Sequence, residues 1–82
     1  MSKLVISNNI RKLRFFHNEM TQQELAKKTE VTRQTIVAIE NGKYSPTLDL
    51  AFRIADVFGI SLEEVFSHEV IENGSKKEDG SK

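Results

Sequence analysis

The chain of 82 residues contains no cysteine, a single proline and no long apolar run. The lack of cysteine excludes disulfides and thiolate metal sites, and it is typical of a protein in a reducing cytosol. A membrane-spanning helix needs about 20 consecutive apolar residues, and the N-terminal MSKLVISNN lacks the apolar centre of a signal peptide. We therefore expect one small cytoplasmic domain, in which helix caps, close packing or a partner subunit supplement a thin core.

The sequence has no net charge, but its charged residues are unevenly distributed. Twelve basic residues balance twelve acidic ones. Residues 1–45 contain eight basic and four acidic residues, a formal charge of +4, whereas residues 46–82 contain four basic and eight acidic residues, a formal charge of −4. This asymmetry indicates either a polyanionic partner for one face of the molecule or a chance distribution of surface charge.

Caps and apolar spacing predict five short helices. The first is expected over about residues 8–17, with Phe15 or Phe16 continuing its apolar side. The second opens with TQQE, in which the Thr21 hydroxyl and the Glu24 carboxylate can form a capping box. Each of these predictions rests on a local pattern of a few residues.

The third predicted helix is capped by Thr32 and ended by Asn41 and Gly42, and only the three or four residues of TEVT separate it from the second helix. So short a connection makes the two helices cross steeply, as in a helix-turn-helix. The fourth is expected from Thr47 to Gly59, and SLEE opens the fifth with a second capping box. We assign the core side of the fourth helix to Leu48, Ala51, Ile54, Ala55 and Phe58.

Three further apolar residues of the fourth helix, Leu50, Phe52 and Val57, exceed what that core side needs. Either the terminal segments bury them or they form a homodimer surface. Residues 1–7 (with SKLVIS) and residues 68–82 (beginning HEVIE) flank the helical domain of residues 8–67. SKLVIS and HEVIE could form short strands that pair with each other, and we expect a disordered tail from Asn73 onward.

The third helix begins with residues suited to reading DNA. In a helix-turn-helix the N-terminal residues of the second helix contact base edges. Arg33 can present a bidentate fork to guanine, and Gln34 can do the same for adenine. Thr35 can bond to a base or a phosphate, and Val37 or Ala38 can contact a thymine methyl group. Ile36 and Ile39 are expected in the core, and phosphate contacts are expected from Gln22, Lys43, Tyr44 and Ser45.

Residues 8–66 resemble the phage-repressor (Cro-like, XRE) helix-turn-helix family. The resemblance rests on IRKLR, MTQQELAKK, VTRQTI, IENGKYSP and LAFRIADVFGISLEEVF, which occur in the family's order and spacing. It implies an all-α fold of five helices, operator DNA as the partner and a homodimer that regulates transcription. By position it implies DNA contacts from Gln22, Thr32, Arg33, Gln34, Thr35 and Ala38, backbone contacts from Asn41, Lys43, Tyr44 and Ser45, and a structural ion pair of Arg14 with Glu40.

Two positions depart from the family pattern. Glu30 stands in the turn where the family usually has glycine, and a left-handed residue with a Cβ costs on the order of 1 kcal/mol there. We therefore expect a slightly different turn. FFHNEM, which precedes Thr21, is one residue longer than the commonest pattern, which puts the approach of Arg14 to Glu40 in doubt.

These patterns predict a small stand-alone repressor that binds an inverted-repeat operator as a homodimer. An antitoxin-like module that binds a second protein, and an architectural DNA binder without sequence preference, are the alternatives. We expect neither an enzyme nor a cofactor, since the sequence suggests no combination of serine, histidine and acid. We expect no metal site, since His17 and His68 have no second ligand at metal spacing.

Overall fold

The computed structural model describes residues 2–72. Five helices are framed by two terminal strands. None of the helices in residues 2–72 is long and apolar enough to cross a membrane. In chain order the elements are β1 (Ser2–Asn8), α1 (Ile10–Phe16), α2 (Gln22–Thr29), α3 (Arg33–Glu40), α4 (Leu48–Phe58), α5 (Leu62–Val65) and β2 (Phe66–Glu72).

Side-chain caps begin three of the helices. The Thr21 hydroxyl accepts from the Glu24 N–H at 3.0 Å, and the Glu24 carboxylate accepts from the Thr21 N–H at 2.8 Å, which confirms the predicted capping box. At α3 and α4 the hydroxyl cap alone is present: Thr32 accepts from the N–H of Thr35, and Thr47 accepts from the N–H of Leu50. Gly59 ends α4 in the left-handed conformation, which glycine adopts without a steric penalty.

One apolar core joins the helices. Each helix contributes at least one fully buried residue, and the partly buried Val31 packs on this core from the turn between α2 and α3. The largest fully buried side chains are Ile10, Leu25, Ile36, Ile39, Ile54 and Val65.

At the start of α5, the Glu64 carboxylate accepts from the N–H and the hydroxyl of Ser61, at 3.0 and 3.2 Å.

The core side of α4 differs from the predicted one. Leu48 is largely exposed, and Leu50 is buried in its place. At 3.6 residues per turn, Leu48 lies about 120° around the helix from the buried Ile54, whereas Leu50 lies within about 40° of it. Of the three residues considered as surplus, Leu50 and the partly buried Val57 belong to the core, and only Phe52 is exposed.

The prediction that Phe15 or Phe16 continues the apolar side of α1 is wrong. Both rings are exposed, and they contact each other edge to face with centroids 5.5 Å apart. The helix is also shorter than expected, because Asn8 belongs to β1 and pairs with Phe66 across the ladder. The Asn8 amide donates to the carbonyl of Ile39 at 3.0 Å and its oxygen accepts from the N–H of Ile10 at 3.1 Å. Asn8 thereby joins the strand to both α1 and α3.

The terminal strands make the all-α class too narrow. β1 and β2 form a two-stranded antiparallel ribbon, in which Ser7 lies opposite Ser67 and Leu4 opposite Val70. This confirms the expected pairing of the two terminal segments. The predicted disordered tail lies outside the described residues.

Candidate nucleic-acid interface

The turn between α2 and α3 fixes how α3 projects from the domain. Glu30 ends α2 in the left-handed conformation, with φ 63° and ψ 40°. The expectation of a different turn is therefore wrong, because this chain keeps the left-handed backbone without a glycine. The N–H of Val31 donates to the carbonyl of Ala26 at 3.0 Å, which closes the end of α2.

One side of α3 is buried and the other faces outward. Ile36 and Ile39 are 0 and 2% exposed and hold the helix against the core. The Thr32 hydroxyl accepts from the Thr35 N–H at 3.2 Å and lies 3.0 Å from the Thr35 hydroxyl. These contacts fix the first turn of α3, in which the backbone N–H groups are otherwise free to meet an anion.

The outward side of α3 carries the residues predicted to contact bases. Arg33 and Gln34 are exposed in its first turn. Thr35, Val37 and Ala38 are half-buried along the same helix. A cation and an amide therefore stand on a helix whose position is set by capping and by core packing.

A buried ion pair supports the inner side of α3. Arg14 Nε lies 2.7 Å from Glu40 Oε2, and Arg14 Nη2 lies 3.0 Å from Glu40 Oε1. The two side chains are only 14 and 7% exposed. Such a bidentate pair holds α1 to the end of α3 with a defined geometry.

The longer segment between α1 and α2 does not disturb this pair. Asn18 and Glu19 both adopt left-handed backbone conformations, with φ 57° and 53°, and so accommodate the extra length. The third arm of Arg14 donates from Nη1 to the carbonyl of Met20 at 2.8 Å. The guanidinium therefore also fixes the approach to α2.

Gln22, in the first turn of α2, belongs to the same network. Its Nε2 donates to Glu40 Oε1 at 3.2 Å. This bond occupies part of the amide that the sequence suggests for a phosphate contact, and it leaves the Gln22 side-chain carbonyl and its second N–H for other partners.

The loop after α3 turns back beside that helix. Gly42 is left-handed, with φ 74°, and the N–H of Lys43 donates to the carbonyl of Ala38 at 2.9 Å. The side chains of Asn41, Lys43, Tyr44 and Ser45 are exposed along this loop.

An open groove of about 600 Å³ lies between α1, the start of α2 and α3. Arg33 and Gln22 line it, and so does Arg11, an exposed cation that the sequence patterns did not single out. The spacing could have revealed it, because residues three apart share a helix face and Arg14 is directed towards α3. Arg11 and Arg33 thus flank one groove from two helices.

Residues 2–72 contain no group of three or more His, Cys, Asp or Glu placed to hold a metal ion. The His17 ring instead packs edge to face on Phe58, with centroids 5.2 Å apart.

The comparisons with known proteins agree on this architecture. A family model described as helix-turn-helix matches residues 10–65. An uncharacterized HTH-type transcriptional regulator of Methanocaldococcus jannaschii is 52% identical over 64 residues, covering 78% of this chain and 96% of that protein. Control protein C.MunI of a Mycoplasma species is 32% identical over 65 residues, covering 79% of this chain and 88% of that protein.

A solved structure shares the fold. The crystal structure of a candidate DNA-binding protein from Bacteroides fragilis superposes with a TM-score of 0.65 and covers 76% of this chain and 98% of that chain. Because only 19% of the sequence is identical, this likeness concerns the fold alone.

Proposed function

Since the chain belongs to the phage-repressor type helix-turn-helix family of DNA-binding transcriptional regulators, we propose that it is a cytoplasmic repressor that recognises a specific operator. It binds an inverted repeat as a homodimer, with α3 of each copy in the major groove. The proposal rests on one observation: Arg33 and Gln34 are adjacent and exposed in the first turn of a helix that is capped and packed on the core.

The dimensions of α3 suit this role. A helix of eight residues is roughly 12 Å long, and the major groove is about 12 Å wide. Arg33 offers two N–H groups to the O6 and N7 of a guanine, and Gln34 offers a donor and an acceptor to the N6 and N7 of an adenine. Thr35, Val37 and Ala38 supply a hydroxyl and apolar surface further along the groove.

Phosphates on both sides of the groove fix the register. We place Gln22 and Thr32 at the phosphates of the DNA backbone, because they stand at the starts of α2 and α3, where helix N-termini favour anions. The loop after α3 meets the DNA backbone with Asn41, Lys43, Tyr44 and Ser45. Arg11 lies across the protein groove from Arg33, between α1 and α3, and adds a further phosphate contact.

Repression follows because the dimer occupies the operator. Two copies related by a two-fold axis place their recognition helices about 34 Å apart, one turn of the duplex, which requires an operator of inverted half-sites. Polymerase is then excluded from the same DNA, and no cofactor takes part.

Base contacts and phosphate contacts can be separated by two variants. Arg33→Ala is expected to weaken binding to a duplex selected by the native chain by roughly 5- to 150-fold, the equivalent of about 1–3 kcal/mol. Its binding to a scrambled duplex of equal composition should change much less. Lys43→Ala should weaken binding to both duplexes alike and reduce the slope of log K against log salt by about 1. Fluorescence anisotropy titrations at several salt concentrations measure both effects.

Arg53→Ala is the matched control, because Arg53 is an exposed arginine of α4 that pairs with Glu30 and Asp49. It should change neither affinity nor salt slope. Equal losses for Arg33→Ala on the selected and scrambled duplexes would contradict sequence recognition and favour an architectural binder instead.

A further inference from the structure

The two faces of the β1–β2 ribbon differ in charge. Residues directly opposite each other in an antiparallel pair share a face, and successive residues alternate between faces. The ladder pairs Leu4 with Val70 and Ile6 with His68, while Lys3 and Glu69 fall on the other face. We call the first of these the aliphatic face and define it by Leu4, Ile6, Asn8, Phe66, His68 and Val70; the pair of Ser2 with Glu72 continues the same face at its outer end.

The aliphatic face is largely uncovered. Leu4, Ile6 and Val70 are 58, 44 and 53% exposed. An isolated two-stranded ribbon is at best marginally stable in water and needs a further layer on an apolar face. The molecule measures 46 × 21 × 20 Å, as expected for a ribbon that projects from a small helical body. A stable ribbon therefore requires an occupant for this face.

The inner end of the aliphatic face meets the loop that follows α3. Ile6 and Phe66 line a crevice together with Tyr44, Ser45 and Pro46. Tyr44 is 45% exposed and extends the apolar surface towards that loop. An occupant of the aliphatic face would therefore lie next to the loop that we propose at the DNA backbone.

We infer that a second copy of this chain occupies the aliphatic face, so that two ribbons pack against each other about a two-fold axis. The inference rests on the proposed homodimer and names its surface. A polyanion is a poor occupant, because no Lys or Arg lies among the six residues of the face. A copy of the same face suits it better, because a two-fold axis brings each patch against itself, and the one acidic residue on this side of the ribbon, Glu72, lies at the outer end beyond the pair of Leu4 with Val70.

The size of the face determines the strength of the contact. Three aliphatic side chains and one tyrosine provide less than the roughly 800 Å² per partner of a standard interface. The dimer is therefore weak in free solution and forms chiefly on DNA, where two adjacent half-sites hold the copies at high effective concentration.

Two double variants with matched geometry test the inference. Ile6→Lys with Val70→Lys places two charges diagonally across the aliphatic face, and Val5→Lys with Ile71→Lys places two charges diagonally across the opposite face. The first pair should weaken binding to an inverted repeat tenfold or more and leave binding to a single half-site unchanged. The second pair should change neither. Equal effects of the two pairs on the inverted repeat would overturn the inference.

Coverage of the face can also be measured with thiol reactivity. The native chain has no cysteine, so Leu4→Cys and Val5→Cys each provide one thiol per copy. Alkylation of Leu4→Cys should slow several-fold on inverted-repeat DNA but not on a half-site, and Val5→Cys should react equally on both. An unchanged rate for Leu4→Cys would overturn the inference even if the lysine variants fold poorly.

The same measurement separates this inference from the proposed function. If the chain binds no duplex, the regulator proposal fails, but alkylation can be followed from about 1 to about 500 µM protein without DNA. A rate that falls with concentration for Leu4→Cys alone supports the second copy. A constant rate shows that the chain does not cover its own aliphatic face and overturns the inference.

Discussion

The helix-turn-helix and the terminal ribbon are stabilised in different ways. α3 is held by a Thr32 cap, by two buried isoleucines and by the ion pair of Arg14 with Glu40. The ribbon has its ladder, one exposed hydroxyl pair of Ser7 with Ser67 at 2.7 Å, and anchors at its base such as the Asn8 amide. The first region is packed within one chain, whereas the second leaves Leu4, Ile6 and Val70 exposed.

This difference matches the two tasks that we propose for these regions. A helix that reads base edges needs a fixed position, because a shift of 1 Å breaks bidentate hydrogen bonds. The surface that we propose to join two copies chiefly on DNA can remain exposed, because its contact is weak without the duplex. If stability is concentrated in the helix-turn-helix, substitutions there should cost far more than substitutions in the ribbon.

Arg14→Met should lower the free energy of unfolding by about 4 kcal/mol, because it leaves the buried Glu40 carboxylate without its cation. Urea denaturation measures the loss. Arg53→Met, which removes two exposed ion pairs, should change the free energy of unfolding by no more than about 1 kcal/mol.

Replacing both members of the buried pair, as in Arg14→Met with Glu40→Met, should recover much of that loss, because no unpaired charge remains. A double variant as unstable as Arg14→Met alone would contradict this explanation.

Ile54→Ala should lower the free energy of unfolding by about 3 kcal/mol, because Ile54 is fully buried and its truncation leaves a cavity. Ile71→Ala removes the same atoms from a half-exposed position in β2 and should cost less than about 1 kcal/mol. Thermal unfolding followed by circular dichroism compares the two. Similar losses would mean that the ribbon is as well packed as the helices.

Glu30→Gly should raise the free energy of unfolding by about 1 kcal/mol, since it relieves the left-handed backbone of a residue with a Cβ. Glu30→Ala keeps the Cβ while removing the carboxylate 3.6 Å from Arg53, and it should bring no gain. Urea midpoints decide between them. An equal gain in both variants would point to the carboxylate rather than to the backbone.

Most of the helical framework could be predicted because its signals are local. The capping box of Thr21 and Glu24, the cap at Thr32 and the glycine at the end of α4 each act within one turn of helix. Membership of the helix-turn-helix family was likewise evident from motifs in fixed order. The individual DNA contacts remain predictions.

The errors concern residues whose surroundings depend on distant parts of the chain. Hydrophobicity alone did not separate Leu48 from Leu50, although their angular positions on α4 differ. The exposure of Phe15 and Phe16 could not be read from α1 by itself. The ribbon depends on pairing between the two ends of the chain, so its length had no local signal.

The most direct test of the account is selection of bound sequences from random duplex DNA at about 150 mM salt, where non-specific binding is reduced. The native chain is compared with a variant carrying Arg33→Ala and Gln34→Ala. We expect an inverted repeat that the native chain enriches and the variant loses. Enrichment of the same repeat by both proteins would contradict base reading by α3, and enrichment of nothing by either would contradict the regulator proposal itself.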